Sequence, residues 1–464
     1  MIVLQLMQDF ANWLWGIPML LVIVGGGFVM SVRLGFPQFT RLGFVLKNTV
    51  GKSFGKKGQD GKISGWQAVT GALASTLGAG NIIGTAMAVG FGGPGGVFWM
   101  WLSGFFCCVV KFCETTMAMK YRKLNNKGQW EGGPQIYLTA GTGWKWISPL
   151  YAVICIICLF LAASAQIGSG VDNLVGLGTP RLGTTIVLTI LVGVVVIGGM
   201  KSLLSVTEKI VPFMSVLYMV GCLVVIVLNI GNLPEAFFSI FRYAFTGRAA
   251  VGGFLGATVM QSIRWGIARG CYSNDAGTGV TTIVHAVADV NHPIQQAMWA
   301  IFEVFFDTII VCSMTCLTVL SSGVWTTGID PAIMTATAFQ NALGTFGGVL
   351  VTIAVVLFTF TTACAQIEFT EAQFVALVGE KARGVARWGM LVLILVGGMV
   401  GISTLISYVD FFAGVYTLVN LLGVYWCGGQ IVELFKEYFA DTNKWEHTKW
   451  QHWVDLEKQE KGRK

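Results

Sequence analysis

Two glycine-rich segments inside long apolar stretches contain the residue types that could bind an ion or a charged solute. They are residues 75–81 (STLGAGN) and residues 273–279 (SNDAGTG). If a helix unwinds there, the N-terminus of a half-helix can attract a carboxylate, and freed carbonyl oxygens can coordinate a cation such as Na⁺. The alternative is that the glycines only let neighbouring helices pack closely.

The amino-acid composition indicates whether water or lipid surrounds these segments. Mean hydropathy is +0.70 and only 11% of the residues are charged, whereas soluble proteins carry about a quarter. The apolar residues fall in runs of roughly 20, which is long enough to cross a hydrocarbon core of about 30 Å. The composition therefore excludes a water-soluble globule. The net charge of +7 requires no nucleic-acid partner, because the Lys and Arg residues concentrate in particular connections between the runs.

The apolar runs predict an all-α membrane protein with about eleven transmembrane helices. They lie near residues 13–34, 66–90, 96–121, 147–171, 182–201, 208–230, 252–288 (interrupted), 294–320, 346–374, 387–406 and 409–430. Lys and Arg are frequent in alternate connections, such as 33–62 and 122–145, and are scarce around 172–181 and 321–345. Because cations favour the cytoplasmic side, we expect the N-terminus outside and the C-terminus in the cytoplasm.

The two interrupted spans are the second and the seventh, which places them five spans apart. Broken helices at corresponding positions of two halves are typical of inverted-repeat transporters. We therefore expect one extra N-terminal span followed by a 5+5 inverted repeat with two discontinuous helices. The predicted parts are the extra span (1–34), a basic cytoplasmic loop (35–65), the two five-helix repeats (66–230 and 252–430) and a cytoplasmic tail (431–464).

Several longer motifs make the sequence resemble a known family, the alanine or glycine:cation symporters, which are sodium:alanine symporter-like. The motifs are 33–39 (RLGFPQF), 78–84 (GAGNIIG), 92–101 (GGPGGVFWMW), 111–114 (KFCE), 206–213 (VTEKIVPF), 269–277 (RGCYSNDAG) and 306–312 (FDTIIVC). The resemblance covers about residues 10 to 430. It implies a leucine-transporter-type fold, Na⁺ as the co-transported ion and a small amino acid as substrate, in the cell membrane and without an organic cofactor.

The resemblance also implies which residues bind. The substrate would contact Ala79, Gly80, Asn81, Gln166, Ser273, Gly277, Gly279 and Gln366, and Na⁺ would be held by Leu77, Gly80, Thr361 and Thr362. An oxygen cage of this kind suits a hard cation. Two alternatives remain open: Gln166 could make only an interhelical hydrogen bond, and the threonine hydroxyls could bond the preceding turn of their own helix.

The sequence departs from the family pattern where the substrate would lie. Gln366 stands where the family usually has a tryptophan, Ala79 stands where a threonine is common, and residues 132–137 (GGPQIY) also differ. Gln366 predicts a larger and more polar pocket, which favours serine or glutamine over alanine and glycine. Alternatively, Phe369 or Phe360 refills the space and alanine remains preferred.

Charged residues within the spans are expensive and therefore suggest function or pairing. Lys111 and Glu114 are three residues apart on one helix, which predicts an ion pair between them. Asp275 lies at the second break, and we expect it to hold the geometry of the break by pairing with Arg264 or Arg269. In the tail, Trp445, Trp450 and Trp453 indicate either a helix on the membrane surface or a frayed polar tail.

The sequence as a whole predicts sodium-coupled symport of a small neutral amino acid by alternating access. The alternatives are a transporter or sensor of the same fold for another small solute, or an uncoupled channel. A membrane enzyme would need a nucleophile–base pair or a metal cluster, and the four histidines form no such motif. The oligomeric state is not predicted.

Overall fold

The computed structural model describes residues 2–52, 62–126, 128–246, 258–399 and 402–463. Its α-helices are Ile2–Leu14 (α1), Ile17–Met19 (α2), Gly26–Leu34 (α3), Pro37–Thr40 (α4), Leu42–Leu46 (α5), Gly65–Thr76 (α6), Thr85–Gly92 (α7), Gly95–Lys120 (α8), Pro134–Thr142 (α9), Ile147–Gly176 (α10), Arg181–Ile197 (α11), Gly199–Leu228 (α12), Leu233–Thr246 (α13), Val259–Asn274 (α14), Thr282–His285 (α15), Pro293–Val304 (α16), Ser313–Ser321 (α17), Met334–Val378 (α18), Arg383–Met399 (α19), Ile402–Trp426 (α20), Gly428–Ala440 (α21), Lys444–His447 (α22) and Gln451–Arg463 (α23). Shorter elements are the π-helical segments Leu20–Gly25, Lys47–Gly51, Gly80–Gly84 and Phe305–Cys312, the 3₁₀ turns Ile230–Asn232, Val324–Thr326, Pro331–Ile333 and Glu380–Ala382, and the antiparallel strands Lys123–Leu124 (β1) and Trp130–Glu131 (β2).

Most of these helices are suited to a membrane. Among the described residues, 8 helices are long and apolar enough to cross one, or 9 if the bent pair Gly65–Thr76 and Gly80–Gly92 is one span. The expected spans near 182–201 and 252–288 correspond to shorter helices: α11 has 17 residues and α14 has 16. Residues 252–257 lie outside the described part of the chain. The total of eleven spans and the inverted repeat therefore stay predictions.

The first broken span is interrupted between α6 and the π-helical segment Gly80–Gly84. A capping box starts α6: the Ser64 hydroxyl accepts from the Gln67 N–H, and the Gln67 side chain accepts from the Ser64 N–H. The helix ends at Thr76, and the two halves of the span are bent by 57°. The glycines of residues 75–81 thus coincide with an actual break.

The second broken span has a similar start and a different break. A capping box between Thr258 and Gln261 begins α14. After Asn274 the chain passes through three residues with left-handed backbone angles, Asp275 (φ 54°), Gly277 (φ 91°) and Gly279 (φ 78°). Glycine adopts these angles without steric cost, while Asp275 has a side chain that makes them unfavourable.

Packing brings both breaks into the interior of the protein. Helix α8 lies against α14 and α16, α7 lies against α14, and α10 lies against α18, α19 and α20. Each break is therefore enclosed by continuous helices, which satisfy the polar groups that an unwound backbone would expose to lipid.

The buried charges pair across helices rather than along them, so the expected Lys111–Glu114 ion pair is wrong. The Lys111 ammonium lies 3.6 Å from a Glu303 carboxylate oxygen and donates to the Asn274 carbonyl at 3.0 Å. Glu114 instead accepts from the Asn420 amide at 2.5 Å. Glu303 on α16 approaches the Lys111 ammonium from the facing helix. The i,i+3 spacing brings Glu114 near Lys111 but does not by itself make an ion pair.

The C-terminal segment is helical and packed against the protein, so the expected frayed polar tail is wrong, whereas a helix on the membrane surface stays a prediction. Trp445 and Trp453 are buried. The Arg122 guanidinium lies between Trp130 and Trp453, at 4.2 and 3.7 Å from their ring centroids. Burial lowers the pKa of Arg122 to about 9, which still leaves it protonated at neutral pH. Helix α23 is thus held by an interior cation–π contact.

Candidate substrate and cation site

A cavity of about 100 Å³ lies where the two breaks face each other. Since one water needs roughly 10–15 Å³ by this measure, the cavity can hold a solute of several heavy atoms. Four of the expected substrate residues line it: Ala79, Gly80, Gln166 and Gln366. They come from three separate elements, which are the first break, α10 and α18.

The side chain of Asn81 determines how the first break is hydrogen-bonded. Its Oδ1 accepts from the Gly78 N–H at 2.9 Å, and its own N–H donates to the Gly78 carbonyl at 3.2 Å. In an uninterrupted helix, these two N–H groups would bond the carbonyls of Ala74 and Leu77. Those two carbonyls are therefore free to accept other partners.

The freed carbonyls converge on one hydroxyl. Thr362 Oγ1 lies 2.9 Å from the Ala74 oxygen and 3.2 Å from the Leu77 oxygen. This gives a cluster of neutral oxygens from two helices, and such a donor set suits a hard cation like Na⁺. Ala74 was not among the expected ligands, because only the hydrogen bonding of Asn81 shows that its carbonyl is released.

The other two expected cation ligands point elsewhere. The Thr361 hydroxyl donates to the carbonyls of Leu357 and Phe358 on its own helix, at 3.1 and 3.0 Å. The Gly80 carbonyl accepts from Thr85 Oγ1 at 3.2 Å. The structure thus brings Leu77 and Thr362 together, and it does not bring Thr361 to the same oxygen cluster.

Ala79 and Gly80 form the part of the cavity wall where the backbone of a half-helix begins. The Ala79 N–H donates to Gln166 Oε1 at 3.2 Å, so Gln166 is joined to the break itself. Gly80 begins the second half of the span, and the first N–H groups of a helix have no partner within it. The partial positive charge at this end suits the carboxylate of a small solute.

Asn81 and Ser273 lie behind the cavity wall. The Asn81 amide donates to Ser273 Oγ at 2.9 Å and to Asp307 Oδ1 at 2.7 Å. Ser273 donates to Asp307 Oδ2 at 2.6 Å. Since Asn81 belongs to the first break and Ser273 ends α14, this buried cluster connects the two broken spans. Asp307 falls within the motif 306–312, but its contact with both breaks appears only in the structure.

Gly277 and Gly279 are beside the second break but do not line the cavity. The Gly277 carbonyl accepts from Asn420 at 2.8 Å, and Gly279 lies against Pro134 and Tyr137. Thr278 and Val280 line the cavity instead. Of residues 273–279, Asp275 and Thr278 line the cavity, whereas the expected Ser273, Gly277 and Gly279 do not.

Gln366 occupies the cavity wall opposite the break. It is partly exposed, and its Oε1 accepts no hydrogen bond from the part of the chain that the structure describes. Phe369 is fully buried and Phe360 half-buried, and neither is among the residues that line the cavity. An unpaired amide oxygen can accept from a polar substrate.

The side of the cavity nearest the N-terminus contains residues that the sequence analysis did not assign to the site. Arg269 lines the cavity, and its guanidinium lies 3.8 Å from Asp410 Oδ2. Trp15 also lines it and donates to the Asp410 carbonyl at 2.9 Å. Arg264 bonds Asn12, so the expected pairing of Asp275 with Arg264 or Arg269 is wrong. Arg269 falls within the motif 269–277, whereas nothing in the local sequence marks Trp15.

Comparisons with known proteins show what this chain is similar to. The model of the sodium:alanine symporter family matches residues 1–452. The chain is 36% identical to the uncharacterized transporter YflA of Bacillus subtilis over 93% of each chain. It is 34% identical to the sodium/alanine symporter AgcS of Methanococcus maripaludis, over 94% of this chain and 97% of the relative. A solved structure of a Na⁺-coupled sialic acid symporter has a TM-score of 0.48 and 12% identity, covering 88% of this chain and 85% of its own.

Proposed function

This chain belongs to the sodium:alanine symporter family, and on that premise we propose that it carries a small neutral amino acid across the cell membrane together with Na⁺. The family consists of multi-pass membrane transporters, so the protein is not an enzyme. The observation that carries the proposal is that one helix break supplies two carbonyl oxygens that lie beside the Thr362 hydroxyl, and also a half-helix N-terminus that lines a cavity. The proposed partners are the amino acid, Na⁺ as co-transported ion and the lipid bilayer.

The proposed coupling follows from the backbone that the two sites share. Leu77 would bind Na⁺ through its carbonyl, while the Gly80 N–H would bind the substrate carboxylate next to Ala79, whose own N–H donates to Gln166 Oε1. A cation at Leu77 would therefore hold the break in the conformation that binds substrate. Binding of one solute then favours the other, and this reciprocity is what thermodynamic coupling requires.

Alternating access is proposed to arise from movement of the broken spans relative to α10 and α18. The matching capping boxes of α6 and α14 support a 5+5 inverted repeat. So do the contacts of α8 with α16 and of α10 with α18, because these are corresponding helices of the two proposed halves. We place the N-terminus outside and the C-terminus in the cytoplasm, as the positive-inside rule predicts.

The test is uptake of labelled amino acids into proteoliposomes with and without an inward Na⁺ gradient. We expect the gradient to drive accumulation above the external concentration. Flux that only equilibrates the two sides would support an uncoupled channel. Uptake of none of the twenty amino acids would support a transporter or sensor for another solute.

Substrate choice is expected to depend on Gln366. We predict that the wild-type protein prefers serine or glutamine, because the polar Gln366 side chain lines the cavity and its buried Oε1 has no hydrogen-bond partner within the described residues. Gln366→Trp fills the cavity and removes the amide, so preference should move toward alanine and glycine, with serine and glutamine uptake falling at least tenfold. Competition of labelled uptake by a panel of twenty amino acids measures the ranking.

A matched variant separates size from polarity. Gln366→Met keeps a similar side-chain length and removes the amide, so it should weaken serine and glutamine while still admitting larger neutral substrates. If the wild type already prefers alanine or glycine and Gln366→Trp leaves that ranking unchanged, Gln366 does not select the substrate.

A further inference from the structure

Asp275 lines the cavity, and its carboxylate has no role in the function proposed above. The residue is partly exposed, and it lines the cavity together with Ala79 and Gln166. Its Oδ2 accepts from Ser75 Oγ at 3.2 Å. Within the described ranges, no Lys, Arg or His nitrogen lies within 4 Å of this carboxylate, so it has no ion-pair partner there.

The nearby cations are balanced by other carboxylates. Lys111, which donates to the carbonyl of the preceding residue Asn274, is paired with Glu303. Arg269 is paired with Asp410. A carboxylate in a low-dielectric site without a partner is costly, and the cost falls sharply when a cation binds beside it. The charge of Asp275 is therefore available to a cationic group in the cavity.

The backbone adds to the negative potential at this position. Asp275 directly follows the C-terminal end of α14, where the helix dipole is negative. Gly80 also lines the cavity and is at the N-terminal end of a half-helix, where the dipole is positive. The cavity wall consequently carries a negative group at Asp275 and a positive partial charge at Gly80, the two signs of charge that a zwitterion carries.

The backbone conformation of Asp275 is one that glycine adopts without cost and that, among residues with a side chain, Asn and Asp adopt most readily. Its φ of 54° is left-handed, and a side chain costs roughly 1–2 kcal/mol there. Glycine would remove this cost but would also remove the carboxylate. Strained residues of this kind are found where the side chain has a function.

We propose that Asp275 binds the α-ammonium group of the substrate, so that the cavity selects solutes carrying both an ammonium and a carboxylate. This inference rests on the proposed function and adds the group that recognises the amine. One carboxylate oxygen is held by Ser75, and the lone pairs of the other are available to the ammonium. Monocarboxylates without an amine, such as propionate and lactate, are excluded because they leave Asp275 unpaired.

The test compares Asp275→Asn with the wild type in the full-length protein, by equilibrium binding at saturating Na⁺. The probes are labelled L-alanine, L-serine and L-glutamine, and the competitors are propionate and lactate. We expect Asp275→Asn to raise the Kd of the bound amino acid at least tenfold and to reduce discrimination against propionate by a similar factor. Asp172→Asn removes a carboxylate that does not line the cavity and serves as the matched control, with a change of Kd below about threefold.

Three outcomes would overturn either this inference or the proposed function on which it rests. If Asp275→Asn binds the amino acid with wild-type affinity and still discriminates against propionate, the ammonium group of the substrate does not bind at Asp275. A change only in the Na⁺ concentration for half-maximal binding would make Asp275 a ligand of the ion. If the wild-type protein binds none of the three amino acids, the proposed function itself fails before any variant is compared.

A charge-conserving variant covers the case in which Asp275→Asn does not fold, as judged by size-exclusion chromatography. Asp275→Glu keeps the carboxylate and should still exclude propionate, even if the longer side chain weakens amino-acid binding. If Asp275→Glu binds propionate as well as it binds the amino acid, the carboxylate does not recognise the amine.

Discussion

A single methyl group added at Gly78 is expected to reduce Na⁺-coupled uptake at least tenfold, while the same change at Gly80 leaves most of it. A Cβ at Gly78 would lie 2.9 Å from Thr362 Oγ1 and 3.2 Å from Gln166 Nε2. Both groups belong to the proposed site, so the methyl group displaces the cation cluster and the substrate wall together. Overpacking of this kind costs about 1–3 kcal/mol, which corresponds to roughly tenfold to a hundredfold in affinity.

Gly80→Ala is the matched control for this effect. A Cβ there meets only the Ser273 Cα at 3.8 Å, which is an ordinary contact, although the methyl group reduces the cavity slightly. Gly78 has no left-handed φ, so alanine fits its backbone angles and the effect comes from the side chain. Initial uptake rates and the Na⁺ dependence of both variants are measured in proteoliposomes. Normal coupled uptake by Gly78→Ala would mean that the site is not at the first break.

The second large effect is expected for Thr362→Val, which should raise the Na⁺ concentration for half-maximal uptake roughly tenfold or more. The hydroxyl is 2.9 Å and 3.2 Å from the free carbonyl oxygens of Ala74 and Leu77, and valine keeps its shape without the oxygen. Losing one polar partner in a buried site costs about 1–3 kcal/mol. The measurement is the initial rate of amino-acid uptake as a function of external Na⁺.

Thr361→Val distinguishes a lost ligand from a disturbed helix. Thr361 is the neighbouring residue on α18, and among the described residues its hydroxyl bonds only carbonyls of its own helix and Met214 Sδ at 3.7 Å. Its replacement should change Na⁺ dependence less than threefold, and Thr362→Ser should restore most of the wild-type behaviour. If Thr361→Val and Thr362→Val change the Na⁺ dependence of uptake equally, the oxygen cluster at Thr362 is not the cation site.

The membrane spans and the family could be predicted from the sequence because both depend on local properties. A run of about 20 apolar residues is suited to a hydrocarbon core wherever it occurs in the chain. Glycines and polar residues within such a run weaken the helix at that point, and the break of 57° lies at residues 75–81 as expected. The family assignment made from short motifs is confirmed by the match over residues 1–452.

The assignment of individual side chains required the tertiary structure. Thr361 and Thr362 are adjacent in the sequence but point about 100° apart around α18, and only the packing of α18 against α6 places Thr362 at the freed carbonyls. Lys111 likewise pairs with Glu303 on another helix instead of Glu114 on its own. Gln366 faces the cavity as its position suggested, whereas Asn81 turns behind it toward Asp307.

The physical reason is that the sequence pattern describes each helix in relation to its solvent, while a binding site consists of atoms from several helices. Hydropathy is an average over many residues, so it tolerates any rotation of a helix that keeps its apolar side chains in apolar surroundings. A contact near 3 Å, such as the one between Thr362 and Leu77, depends on the rotation and depth of both helices at once. Those two quantities are decided by side-chain packing between helices, and therefore only by the folded protein.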